Sequence, residues 1–318
     1  MLLKDNTLVI SYSIGYTDWY VSEFYKFLHQ KLEERCNIKF KFIPIEELGR
    51  TYGVTDTRTN NTFFNWYNFL IYNPKTDQFF AHSSDDYSVE ALDDGLKRSY
   101  DIVKFSCVPD TRHDFYKKHK NFIQPSVYRF EMWSDYKKLV ECNKSKSKID
   151  KAYFIGLPYG YREMYFRKLD GNSFFVMEDK VDSKKRKTKT HYYEELSKYK
   201  YNLSLNGAAG ICYRDVEIFG LDNFNLREPY TCLTYNPIEK DVHFIEMFDE
   251  QLVSEIIVSN IDVSNKIADR VNQVTEFCNS KEGSIMLEQS SKWFEDNCKP
   301  ENQFEIMLSI IEESSILG

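Results

Sequence analysis

Residues 199–246 read YKYNLSLNGAAGICYRDVEIFGLDNFNLREPYTCLTYNPIEKDVHFIE, and this stretch decides the fold class. Its opening, residues 201–205, is an aromatic and aliphatic run that predicts a strand. Asn206-Gly207-Ala208-Ala209-Gly210 then supplies small residues for a turn. A helical pattern follows through Arg214 to Phe219. A strand over residues 230–235 and a short one over 242–246 complete the segment. Strand, turn, helix and strand in so short a span form a β-α-β unit, which argues for a parallel sheet.

The same logic extends in both directions. Upstream, residues 151–156 predict a strand, 161–169 a helix, 173–178 a strand and 191–198 a helix. The basic run Lys184-Lys185-Arg186-Lys187-Thr188-Lys189 reads as a solvated loop. Nearer the amino terminus, residues 7–12 form a β-branched run, and a helical pattern begins at Asp18 and ends near residue 34. Residues 37–45 alternate apolar and lysine positions, as a strand does. Two aromatic-rich strands flank the turn Asn73-Pro74-Lys75-Thr76-Asp77, a short helix covers residues 88–98, and a strand covers 101–107. The polar stretch 108–150 ends in the Lys/Ser-rich residues 143–148, which mark a boundary between two domains. From about Glu250 the pattern is helical to the end. The expected architecture is α/β: domains at residues 1–148 and 149–318, both Rossmann-like, with a C-terminal helical tail.

Composition narrows the function classes. The 318 residues carry 42 Lys and Arg against 49 Asp and Glu, a net charge of −7. A protein that coats nucleic acid or an anionic membrane needs the opposite sign, which leaves only a local basic patch for such contacts. No apolar stretch approaches the 18 or so residues of a membrane span. The opening MLLKDNTLVISYS lacks the pattern of a secretory signal, and the seven scattered cysteines form no CxxC pair. The expected location is therefore the cytoplasm, with free thiols and no structural zinc.

The chemistry concentrates at two strand-to-helix turns. Asn206, Gly207, Ala208 and Gly210 allow a ligand phosphate close to the backbone, where free helix N–H groups favour an anion. Arg214, one turn inside the helix, reaches the same place with a planar fork of donors. The second turn, Gly156-Leu157-Pro158-Tyr159-Gly160, leads into a helix holding Arg162 and Arg167. Glu217 and Glu228 are candidates to accept hydrogen bonds from sugar or ribose hydroxyls. Neither GxGxxG nor GxxxxGK[ST] occurs.

This order of features resembles the C-terminal donor-binding half of GT-B glycosyltransferases. It is similar in pattern to the capsule-associated and protein O-glucosyltransferase family, and more distantly to exostosin- and fucosyltransferase-like enzymes. The shared pattern runs through Tyr199-Lys200-Tyr201, Leu203, Gly207, Arg214, Gly220, Leu226 and His243-Phe244-Ile245, then Ile267-Ala268 and Trp293. Where the family usually has Asp-Gly at the turn, this chain has Asn206-Gly207. The resemblance implies two domains facing a cleft and a nucleotide-diphosphate sugar, such as a UDP- or GDP-sugar, as donor. It also implies inverting, metal-independent transfer to a hydroxyl of a glycan or a modified base, with no cofactor. Arg162, Arg167, Arg214 and His243 would then lie on the donor side.

Inverting transfer needs a base on the acceptor side. Asp18, after the first strand, is the first candidate catalytic carboxylate, and Asp85 and Asp86 are the next. Adjacent aspartates also allow a different reading, a metal-dependent GT-A enzyme. A non-catalytic nucleotide- or carbohydrate-binding protein of the same architecture is the alternative outside enzymes.

Overall fold

The computed structural model describes residues 7–12, 22–44, 47, 69–76, 78–82, 102–106, 137–138, 141, 147–179, 189–206, 213–230, 236–258 and 260–318. They form an α/β protein with two five-stranded sheets and eight helices. The helix expected at 88–98 and the basic run 184–188 lie outside the described residues.

The first sheet holds β1 (Leu8–Tyr12), β2 (Phe40–Phe42), β3 (Phe69–Asn73), β4 (Gln78–His82) and β5 (Ile102–Ser106), in the order β2-β1-β3-β4-β5. It is mixed rather than parallel. β1 runs parallel to β2 and β4 to β5, but β3 is antiparallel to both β1 and β4. The cause is local: the turn after Asn73, whose Oδ1 accepts from the Lys75 N–H at 3.1 Å, reverses the chain into a hairpin. Helix α1 (Ser22–Cys36) covers this sheet with Phe24, Tyr25, Leu28 and Leu32.

The second sheet is wholly parallel and holds β6 (Ile149–Gly156), β7 (Phe175–Asp179), β8 (Tyr199–Ser204), β9 (Phe224–Arg227) and β10 (Ile245–Glu246). The helices are α2 (Arg162–Leu169), α3 (Lys189–Lys198), α4 (Tyr213–Gly220), α5 (Glu250–Ile257), α6 (Ser264–Cys278), α7 (Lys281–Cys298) and α8 (Pro300–Glu313). Alternation along β6 divides them into two layers. Ala152 and Phe154 join a core with Tyr165 and Leu169 of α2, Leu252 and Ile256 of α5 and Ile267 of α6. Tyr153 and Ile155 join one with Tyr193 of α3, Val216 and Phe219 of α4 and Trp293 of α7. Both faces are buried, as a parallel sheet requires.

One strand moved. The sequence pattern placed it at 230–235, but β9 is Phe224–Arg227, Tyr230 is outside any strand, and 231–235 lie outside the described residues. β9 contains Asn225 and Arg227, which look solvent-facing in sequence. Both are buried and paired with Asp215, so the polar letters conceal a core strand. No helix among the described residues is long and apolar enough to cross a membrane.

Candidate functional site

The second sheet has the order β7-β6-β8-β9-β10. The chain steps from β6 to β7 on one side, then crosses to β8 on the other. This reversal opens a crevice beyond the carboxyl ends of β6 and β8, the position where open parallel sheets take ligands. Arg162 after β6, Leu205 and Asn206 after β8, and Glu228 after β9 meet there.

Asn206, the second residue past β8, holds the junction together. Its carbonyl accepts from Arg162 Nε at 3.0 Å and from the Tyr161 hydroxyl at 2.6 Å. Its Oδ1 accepts from Arg227 Nη2 at 2.7 Å, and its N–H points to Glu228 Oε2 at 3.4 Å. Arg162 also donates to the Leu205 carbonyl at 2.8 Å. Its fork therefore braces the β8 turn, a use the sequence reading, which aimed it at a phosphate, did not foresee.

Arg214 starts from α4, on the opposite face from α2. Its guanidinium stacks over the Phe154 ring at 4.3 Å and donates from Nη2 to the Ile155 carbonyl. Phe154 belongs to the α2 layer. The side chain thus lies against the carboxyl end of β6 and places a buried cation there.

Arg227 closes β9 with 1% of its surface exposed. Its Nη1 meets Asp215 Oδ1 at 2.8 Å, its Nε donates to the Glu228 carbonyl at 2.8 Å, and Tyr230 lies over the guanidinium at 3.2 Å. Asn225 Nδ2 adds a bond to Asp215 at 3.1 Å. Arg227, Asp215, Tyr161 and Tyr165 were not among the residues singled out in sequence. An arginine next to Glu228 at a strand end was the signal available.

Glu228 is 2% exposed. Burial raises its carboxyl pKa above the usual range, opposed in part by Tyr165, the Asn206 N–H, Arg227 and Tyr161. Tyr165, facing the same carboxyl, is itself shifted upward, first by burial and then by Glu228.

The rim is of a different character. Leu157 and Tyr159 after β6 are 50% and 70% exposed, and Gly160 turns the chain with a φ of +61° that a side chain would resist. An open aromatic face beside the crevice suits a sugar or base ring.

Other expected site residues lie elsewhere. Glu217 is buried but accepts from the hydroxyls of Tyr192 and Tyr193 at 2.9 and 3.1 Å, joining α3 to α4. Arg167 pairs with Glu163 on the exposed face of α2. His243 precedes β10, at its amino end, where Nδ1 accepts from the Glu239 N–H at 2.9 Å and burial lowers the ring's pKa. Gly207, Ala208, Gly210, Asp18, Asp85 and Asp86 lie outside the described residues. Among the described residues no group of three His, Cys, Asp or Glu is placed to hold a metal ion. No protein-family model matches the chain, and no curated protein matches it in sequence.

Proposed function

We propose that the chain is a nucleotide-sugar-dependent glycosyltransferase, with the donor diphosphate in the crevice between β6 and β8. The observation that carries this reading is Arg214, a buried guanidinium held at the carboxyl end of β6, one of the two strands that border the crevice. A diphosphate leaving group needs such a cation, together with the N–H groups that open α4. Tyr159 and Leu157 at the rim would take a ring.

In this reading the first domain faces the second across a GT-B cleft and brings the acceptor. Asp18, or else Asp85 or Asp86, takes the acceptor proton as the new oxygen–carbon bond forms and the bond to the diphosphate breaks. Arginines and helix N–H groups would neutralise the departing charge without a metal ion or other cofactor. UDP- and GDP-sugars are the donor class, and a glycan or other hydroxyl compound in the cytoplasm is the acceptor class.

A thermal-unfolding panel of nucleoside diphosphates and nucleotide sugars tests the reading. A ligand at 100 times its dissociation constant adds about 2.7 kcal/mol, enough to raise the midpoint by several degrees. Arg214→Ala should abolish that shift. Donor consumption with and without chelator then separates metal-independent transfer from the GT-A alternative. A folded protein that responds to no member of the panel defeats the proposal.

A further inference from the structure

We propose that Glu228 is a neutral carboxylic acid in the working protein, and that in this form it holds Asn206, the second residue past β8, in place for ligand binding. The ligand in this inference is the nucleotide diphosphate proposed above, and the inference rests on that reading.

Glu228 Oε2 has one backbone donor, the Asn206 N–H at a long 3.4 Å, and lies 3.4 Å from the Tyr161 oxygen, whose single proton goes to the Asn206 carbonyl at 2.6 Å. Oε1 is buried, and the Tyr165 hydroxyl is the other group that faces the carboxyl. The neighbouring cations are committed elsewhere. On β9, Arg227 gives Nη1 to Asp215 of α4, Nη2 to the Asn206 side chain, and Nε to the backbone carbonyl of Glu228 rather than to its carboxylate. On α2, Arg162 gives Nε and Nη2 to the carbonyls of Asn206 and Leu205. Tyr165 of α2 and Tyr161 just before it are the other titratable groups that face the carboxyl, and burial holds the Tyr165 phenol neutral. Tyr230 stacks on Arg227.

An ionised Glu228 would therefore be a buried charge whose nearest cation is already neutralised by Asp215. Such a charge is costly, and the group takes up a proton instead. The neutral acid needs no cation, and one of its oxygens still receives the Asn206 N–H. The upward displacement of its pKa by burial agrees with this arrangement. The role is positioning: Glu228 acts through the backbone of Asn206, the residue that opens the turn.

The sign of the pH effect follows. A carboxyl whose folded pKa lies above its unfolded one favours folding fully below the ordinary carboxyl range. That contribution is lost as pH rises from there through the folded value. Above it, the ionised Glu228 must draw in water or displace Asn206, and anion binding weakens with it.

The experiment compares wild type with Glu228→Gln, whose amide is neutral at every pH. UDP and GDP affinities and urea midpoints are measured between about pH 5 and about pH 9. Phosphate ionisation of the ligand is common to both proteins and cancels in their ratio. The expected result is that wild type loses affinity relative to Glu228→Gln by up to about tenfold per pH unit above the folded pKa. Its urea midpoint should fall over the same range while that of the variant stays level. Parallel pH profiles, or a variant weaker by the same factor at every pH, overturn the proposal. If neither protein binds a diphosphate, the ligand reading fails, and the urea profiles still decide the proton. Should Glu228→Gln not fold, infrared spectra of wild type suffice. A protonated carboxyl band at neutral pH that disappears on alkaline titration is expected, and its absence at neutral pH overturns the inference.

Discussion

Arg227 heads the fully buried side chains in size, and its burial is tolerable only because every face is occupied. Asp215, the Asn206 side chain, the Glu228 carbonyl and the Tyr230 ring account for it. Removing one member of such a pair leaves the other as an uncompensated charge, at about 3–5 kcal/mol. Arg227→Met should therefore lower the stability measured in urea by about that amount. The double variant Arg227→Met with Asp215→Leu should recover a large part of it, because no charge is then stranded. Equal losses in the single and double variants would show that the pair's hydrogen bonds, not its charges, matter. These partners are also why the site was only partly legible. Asn206, Arg214 and Glu228 lie on or beside the turn that the sequence marks. Arg227 and Asp215 sit 12 residues apart and meet only when β9 lies beside β8.

At the scale of elements, what the sequence showed was periodicity. β8 alternates, α2 and α4 repeat apolar residues at helical spacing, β6 carries the continuous apolar run 152–155, and all four occur where expected. β9 was misplaced because its polar residues are satisfied by tertiary partners, which no local pattern displays. The antiparallel β1–β3 pairing was hidden for a similar reason. Strand direction there depends on which neighbour β3 meets, and the unit β1-α1-β2 suggests parallel pairing throughout. Helix corners carry sharper local signals. Between α6 and α7, Ser280 caps α7 by accepting from the Gly283 N–H at 3.2 Å. A Cβ on Gly283 would stand 2.4 Å from the Phe277 carbonyl oxygen and 2.8 Å from the Cα of Cys278. Those are backbone atoms, so the corner must open. Gly283→Ala should cost about 1–3 kcal/mol in thermal or urea unfolding, although alanine is the better helix former. A neutral or stabilising result would mean that the two helices can slide apart freely.

At the scale of the whole molecule, the last helix of the tail does not stay with the second sheet as α5, α6 and α7 do. The core of β1, β3, β4 and α1 includes Phe304, Ile306, Met307, Leu308, Ile310 and Ile311 of α8, and Ile316 beyond it. Asn73 Nδ2, at the end of β3, donates to the Ile316 carbonyl at 3.2 Å. The amphipathic pattern of α8 was readable, but its partner lies more than 200 residues away in sequence. The break at Lys299, which ends α7 and precedes Pro300, redirects the chain toward the first sheet. Seven large apolar side chains at about 1.5–3 kcal/mol each contribute about 10–20 kcal/mol of burial, comparable with the whole stability of a domain. The two cores of the second sheet, by contrast, draw on no residue after Cys298. A chain ending at Cys298 should therefore keep slow amide exchange in β6 and β8 and lose it in β1 and β3. Met307→Ala is the graded version: it should cost about 2–5 kcal/mol and accelerate exchange in β1 and β3 before β6 and β8. Unchanged protection of β1 and β3 in the shortened chain would show that α1 alone completes that core. Equal loss in both sheets would show instead that the two cores unfold as one unit.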